Sequence, residues 1–123
     1  MKFTKKQIDR YSRQIILKKI GIAGQKKLLK SNVLIVGAGG LGSPISIYLA
    51  ALGIGKIGIA DKDSVEISNL SRQIIFSTND LKKEKSYTAI NKLRKIKGIN
   101  MAIKFTYCSR NQNFFVLQTI IIN

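Results

Sequence analysis

A cluster of glycines between two apolar segments limits what this chain can fold into more than any other feature. Residues 31–44 read SNVLIVGAGGLGSP. Residues 33–36 are apolar at every position and rich in β-branched types, as expected of a central parallel strand covered on both faces. Glycines follow at 37, 39, 40 and 42, and a helical pattern starts at Ser43. Gly37 lets the chain turn sharply off the strand, Gly39 removes the Cβ that would block a phosphate, and Gly42 lets the new helix press against the sheet. An anion would then sit on unpaired amides at the helix start. Pro44 suits the first helical turn, and Ser43 is the expected cap. A structural glycine turn is the competing reading. Against it stands the order of strand, glycines and helix, with an acid, Asp61, closing the next strand.

The rest of the chain builds outward from that turn. Residues 1–30 carry helical periodicity through Ile8, Tyr11, Ile15, Ile16 and Ile20, with a second short helical segment at 24–29 after a glycine break. The helix from Ser43 places Ile45, Tyr48, Leu49 and Leu52 on one expected core stripe and ends at Gly53 and Gly55. Residues 56–60 read as a second strand that delivers Asp61 to the carboxyl edge of the sheet, about 20 residues beyond the glycines, where a ribose-binding acid belongs. A turn-forming Asp is the alternative. Asp61, Asp63 and Glu66 make up half of the chain's six acids, which suggests a site. Residues 68–80 read as a loop, and a helix resumes at Lys85 with Tyr87, Ile90, Leu93 and Ile96 in register.

Residues 101–107 alternate apolar and polar, as a strand near a sheet edge does. The segment 114–117 reads as a helix fragment and 119–122 as a fourth strand. The fold expected is α/β: a Rossmann-like, doubly wound, mostly parallel sheet in one domain over residues 1–123, with a helical preface (1–30) and a core (31–123). The first strand would lie centrally with the second beside it. Its other flank stays unpaired unless 119–122 returns to cover it, and a bare all-apolar edge invites aggregation.

Lys and Arg number 22 against those six acids, a net charge of +16 without a histidine. Such a field attracts nucleic acid, anionic membranes or phosphorylated ligands. The excess is nearly all Lys, without the interleaved Arg and aromatics of a nucleic-acid face, so Lys82, Lys83, Lys85, Lys92, Lys95 and Lys97 read mainly as a solvated coat. One cysteine, Cys108, excludes an internal disulfide and a four-cysteine zinc site within one chain, and reads as a buried structural thiol. No apolar stretch reaches the ~20 residues needed to span a bilayer. The polar residues after Lys2, Lys5 and Lys6 do not form a signal core, so no membrane partner is expected, and the cytosol or an organelle stroma is the default.

Four motifs in order, RYSRQIIL (10–17), GAGGLG (37–42), DKD (61–63) and SNLSRQ (68–73), together resemble the MoeB/ThiF/HesA group of ubiquitin-activating-like adenylyltransferases from about residue 8 to about residue 107. The resemblance implies an ATP-dependent reaction in which the C-terminal glycine carboxylate of a ubiquitin-like sulfur carrier attacks the α-phosphate, giving an acyl-adenylate and pyrophosphate. By position, Gly37, Gly39, Gly40 and Gly42 form the phosphate turn, Asp61 binds ribose, and Asp63 belongs to the same nucleotide-binding motif. Asn69, Arg72 and Lys85 contact phosphates, with Arg72 and Lys85 countering developing charge. Arg13 matches an arginine that reaches the partner subunit's nucleotide, which implies a homodimer.

The family's Gly-x-Pro ahead of the lysine is replaced here by Lys82-Lys83-Glu84. Its D-x-T-D-N metal motif and its paired cysteines lie past the last residue, so the Mg2+ site is incomplete and a truncated or degenerate copy is expected. Two other readings compete. A basic module binding RNA or nucleotide without catalysis shares the fold, and a nicotinamide-dependent dehydrogenase shares the glycine turn but leaves Arg13, Asn69 and Arg72 unexplained.

Overall fold

The computed structural model describes residues 2–97 and 120–122. Helix α1 (Lys5–Ile15) begins at Thr4, whose hydroxyl accepts the Gln7 N–H while the Gln7 side chain accepts the Thr4 N–H, a reciprocal cap. Gly21, at φ +56°, opens α2 (Gly21–Lys30), which leads into β1 (Asn32–Val36). Then come α3 (Gly42–Leu52), β2 (Lys56–Ala60), two single 3-10 turns at Ile67–Asn69 and Thr78–Asp80, α4 (Lys85–Lys97) and β3 (Ile120–Ile122).

The sheet order is β2-β1-β3. β1 and β2 run parallel from Asn32↔Lys56 to Val36↔Ala60, the βαβ unit that the glycine cluster predicts. On the other side of β1, β3 pairs antiparallel, Val33 opposite Ile122 and Ile35 opposite Ile120. The tail therefore covers the flank that would otherwise be bare, although with reversed direction. The strand expected at 101–107, Cys108 and the helix fragment at 114–117 fall outside the described residues.

Val33, Ile35, Ile57 and Ile59 point to one side of the sheet and join Ile90 and Leu93 of α4 in the core. α1 is anchored by Tyr11, whose ring lies against Gly53: a Cβ there would come within 2.8 Å of it, and Gly53 sits at φ +90° as the left-handed cap of α3. Beside it, buried Gln25 of α2 donates from Nε2 to the Leu52 carbonyl.

Two expectations about α3 are corrected. The fully buried positions are Gly42, Ser43, Ser46 and Ala50; of the expected stripe Leu49 packs against the core, whereas Tyr48 is 70% exposed and Leu52 is also exposed. The reason is closeness. A Cβ at Gly42 would lie 1.8 Å from the Gly37 carbonyl oxygen, so the helix runs against the turn at a separation that only small side chains fit. Nor does Ser43 cap its helix. The N-cap is Leu41 with no side-chain bond, and the Ser43 hydroxyl instead accepts the Ile75 N–H at 2.8 Å.

The lysine coat is also revised at two positions. Lys92 pairs with the buried carboxylate of Asp80, which also accepts the Ser77 N–H at 2.7 Å and its hydroxyl at 2.8 Å. This pins the end of the 66–80 loop onto α4. Lys85 is buried as well. Among the described residues no helix is long and apolar enough to cross a membrane.

Candidate nucleotide site

The glycine bend has the geometry its residues demand. Gly37 turns at φ +94° while its N–H still donates to Ala60, so the chain leaves β1 at the level where β2 ends. Asp61, the next residue after β2, points into the bend: Oδ2 accepts the Ala38 N–H at 2.7 Å, and Oδ1 accepts the Asp63 N–H at 2.8 Å. The two amides fix the plane of the carboxylate and leave each oxygen a second acceptor position. Beyond Ala38, the N–H groups of Gly39, Gly40, Leu41 and Gly42 donate no hydrogen bond among the described residues. They form the uncapped start of an eleven-residue helix, with its partial positive charge directed outward.

Arg72 reaches this bend from the 66–77 loop. A Cβ built on Gly40 would lie 3.7 Å from Arg72 Cγ and Cδ, so the arginine stem lies across that glycine. Its guanidinium Nη1 donates to the Ser68 carbonyl at 3.0 Å and forms no ion pair with a described acid, which removes a local salt bridge as its explanation. Asn69 builds the turn that presents it. The Asn69 side-chain oxygen accepts the Glu66 N–H, and its carbonyl accepts the N–H groups of Arg72 and Gln73.

Lys85 is joined to the same edge by a chain of backbone bonds. Its N–H donates to the Asp63 carbonyl at 2.9 Å, and Asp63 in turn donates to Asp61. The lysine is only 6% exposed as a residue, but its ammonium is not among the buried polar atoms and has no hydrogen-bond or ion-pair partner among the described residues. The stem is packed while the unpartnered ammonium stays open to solvent, which leaves the cation available to an anion.

Arg13 is not part of this assembly. Tyr11 packs at the C-terminal cap of α3, and Arg10 donates to the Ile96 carbonyl near the C-terminal end of α4. Both helices begin at the bend side and run about 16–20 Å away from it. Arg13, exposed on the last turn of α1, stands at the far end.

Sequence reasoning missed two supports of the site. The Ser43 hydroxyl ties the arginine loop to the first turn of α3, and Gln73 is buried with its Oε1 unpartnered. Gln73 stands in a quoted motif, but the role of Ser43 had no signal, because a serine at a helix start reads first as a cap. Among the described residues no three His, Cys, Asp or Glu side chains group as a metal site.

The family model described as "ThiF family" matches residues 11–114. The chain belongs to the ThiF family. It is 51% identical over 94 residues to a probable molybdopterin-synthase adenylyltransferase of Porphyra purpurea, covering 76% of this chain and 25% of that protein. It is also 51% identical over 87 residues to the sulfur carrier protein ThiS adenylyltransferase of Escherichia coli K12, covering 71% and 35% respectively. A crystal structure of E. coli MccB with ATP aligns at TM-score 0.73 and 35% identity, over 86% of this chain and 32% of that one. The chain thus spans a quarter to about a third of the length of these ThiF-family relatives. Its Rossmann-like α/β fold is the one they share.

Proposed function

We propose that this chain carries the ATP-binding part of an adenylyltransferase that activates the C-terminal carboxylate of a ubiquitin-like sulfur carrier. The observation that carries the reading is Lys85, whose buried stem presents an ammonium with no protein partner among the described residues, tied through Asp63 and Asp61 to a row of unpaired helix-start amides. That arrangement suits a polyanion. The names of the relatives, sulfur-carrier and molybdopterin-synthase adenylyltransferases, and the ATP-bound MccB structure support the choice of nucleotide and of acceptor.

In the reaction, an oxygen of the carrier's terminal carboxylate forms a bond to the α-phosphorus, and the bond from that phosphorus to the leaving pyrophosphate breaks. Amides of Gly39 to Gly42 hold phosphate oxygens, and Asp61 accepts a ribose hydroxyl with its free lone pairs. Asn69 supplies its amide donors. Arg72 and Lys85 offset the charge that builds on the equatorial and leaving oxygens. Mg2+ would accompany the triphosphate, but the described residues do not assemble a carboxylate set for it, and no step is assigned to it.

In this reading Arg13, which within one chain stands at the opposite end of α3 and α4, serves the nucleotide of a second copy, and the chain works as a homodimer. Exchange of labelled pyrophosphate into ATP in the presence of a carrier tests the proposal. Carrier-dependent exchange that falls sharply in Arg72→Ala is expected, and exchange indifferent to Arg72 would remove the assignment.

A further inference from the structure

We infer that Ser43 is a positioning residue, which holds Arg72 and the amides of the glycine bend in register so that both meet one polyphosphate. The inference rests on the nucleotide reading above and adds the residue that aligns the two halves of that site. Ser43 is fully buried, at 0% exposure, so it acts through its neighbours and not on a ligand directly.

The serine grips both sides. Its N–H donates to the Gly39 carbonyl at 2.9 Å, and because a peptide unit is planar and trans, this aims the Gly40 N–H the opposite way, out of the helix start. Its hydroxyl accepts the Ile75 N–H at 2.8 Å, three residues beyond Arg72. Between those residues the chain has little freedom: the Asn69 carbonyl accepts the N–H groups of Arg72 and Gln73, and the Gln73 carbonyl accepts that of Phe76. Fixing Ile75 therefore fixes where Arg72 leaves the loop to lay its stem across Gly40.

Among the described residues, the Ser43–Ile75 bond is the one hydrogen bond that joins residues 66–76 to any other part of the chain. Burial of Ile75 and Phe76 also holds the segment down, but apolar packing is non-directional and sets no register. Alanine in place of Ser43 would leave the Ile75 N–H buried without an acceptor, and the loop would shift to satisfy it. A shift of that kind carries the guanidinium away from the amides it must work beside.

The test is calorimetric binding of inorganic tripolyphosphate and of ATP to the full chain and its variants. Ser43→Ala is expected to weaken tripolyphosphate binding about fivefold, yet less than about twofold when Arg72 is already alanine, because the serine acts through the arginine. Ser46→Ala is the matched control. It removes a neighbouring buried hydroxyl, bonded to the Ser43 carbonyl at 2.7 Å, and should leave affinity unchanged even where it lowers the melting temperature. No loss from Ser43→Ala, the same loss in both backgrounds, or an equal loss from Ser46→Ala overturns the proposal. Amide exchange on the wild-type chain needs no variant to fold: the Ile75 N–H should exchange at least about a hundredfold more slowly than that of exposed Ile74, and equal rates also overturn it. Coupled tripolyphosphate binding without ATP binding would leave the positioning role standing and remove the nucleotide reading. Binding of neither anion would remove both.

Discussion

The carboxylate of Asp61 accepts the N–H of Ala38 at 2.7 Å, so the acid at the tip of β2 is bonded to the bend that follows β1. One side chain thereby sets the shape of the phosphate turn and presents the proposed ribose acceptor. Asp61→Asn should disturb both roles, because an amide offers one acceptor atom and turns its NH2 toward a backbone donor. We expect a loss of about 1–3 kcal/mol of stability in a urea melt, together with weaker ATP binding by calorimetry. Stability equal to wild type would show that the bond to Ala38 is incidental.

Gly42 and Gly40 make a matched pair of substitutions. A Cβ at Gly42 would lie 1.8 Å from a backbone carbonyl oxygen that cannot yield, whereas at Gly40 the nearest atoms are flexible Arg72 carbons at 3.7 Å. Gly42→Ala is expected to cost more than about 3 kcal/mol, and Gly40→Ala less than about 1. Thermal melts of the two variants decide this, and similar melting temperatures would contradict the close approach of α3 to the turn.

Lys82 holds φ +67°, a left-handed conformation that costs a side-chain-bearing residue about 1 kcal/mol or more. Its N–H bonds the Val65 carbonyl at 2.7 Å, which keeps the turn in place ahead of Lys85. Lys82→Gly should raise stability by roughly 0.5–1 kcal/mol in denaturant unfolding, since the relief of strain outweighs the entropy glycine adds to the unfolded chain. A destabilised variant would contradict the strained turn.

Asp80 provides a pH signature. Burial pushes its carboxyl up, but hydrogen bonds from Lys92 and Ser77 and the Lys92 charge outweigh this and bring it down from 3.8 to about 2. A folded-state pKa below the unfolded one contributes stability that is fully present above the unfolded value, here 3.8, and is lost as pH falls toward 2. Roughly 2 kcal/mol should disappear over that window. Lys92→Met should cost about 2–3 kcal/mol near neutral pH, because it leaves the carboxylate buried without its counter-ion. Urea melts at several pH values check both, and a Lys92→Met variant as stable as wild type would show that the pair contributes nothing.

The sequence was informative where backbone geometry dictates residue type. Gly37 and Gly42 could be assigned their turn and their close approach because no other residue meets those demands, and Asp61 because a strand end fixes its place. It misled where one residue type serves several environments. α3 is apolar nearly all round, so periodicity chose Tyr48 and Leu52 for the core, while the narrow gap against the turn admitted Ser43, Ser46 and Ala50. Among many lysines, burial of Lys85 and pairing of Lys92 depend on where the 66–80 loop lands, a long-range fact without a local pattern. Arg13 could be named only by resemblance, and its distance from the bend became clear once Tyr11 was seen against Gly53.

Lys85→Met, measured for ATP affinity and for ligand-free stability together, tests the central claim that the Lys85 ammonium is held without a protein partner for an anion. The account predicts that ATP binding by calorimetry weakens at least about tenfold while the ligand-free melting temperature changes little, because a methionine of similar volume keeps the packed stem and removes only the cation. Unchanged ATP affinity in a variant that melts like wild type would contradict it.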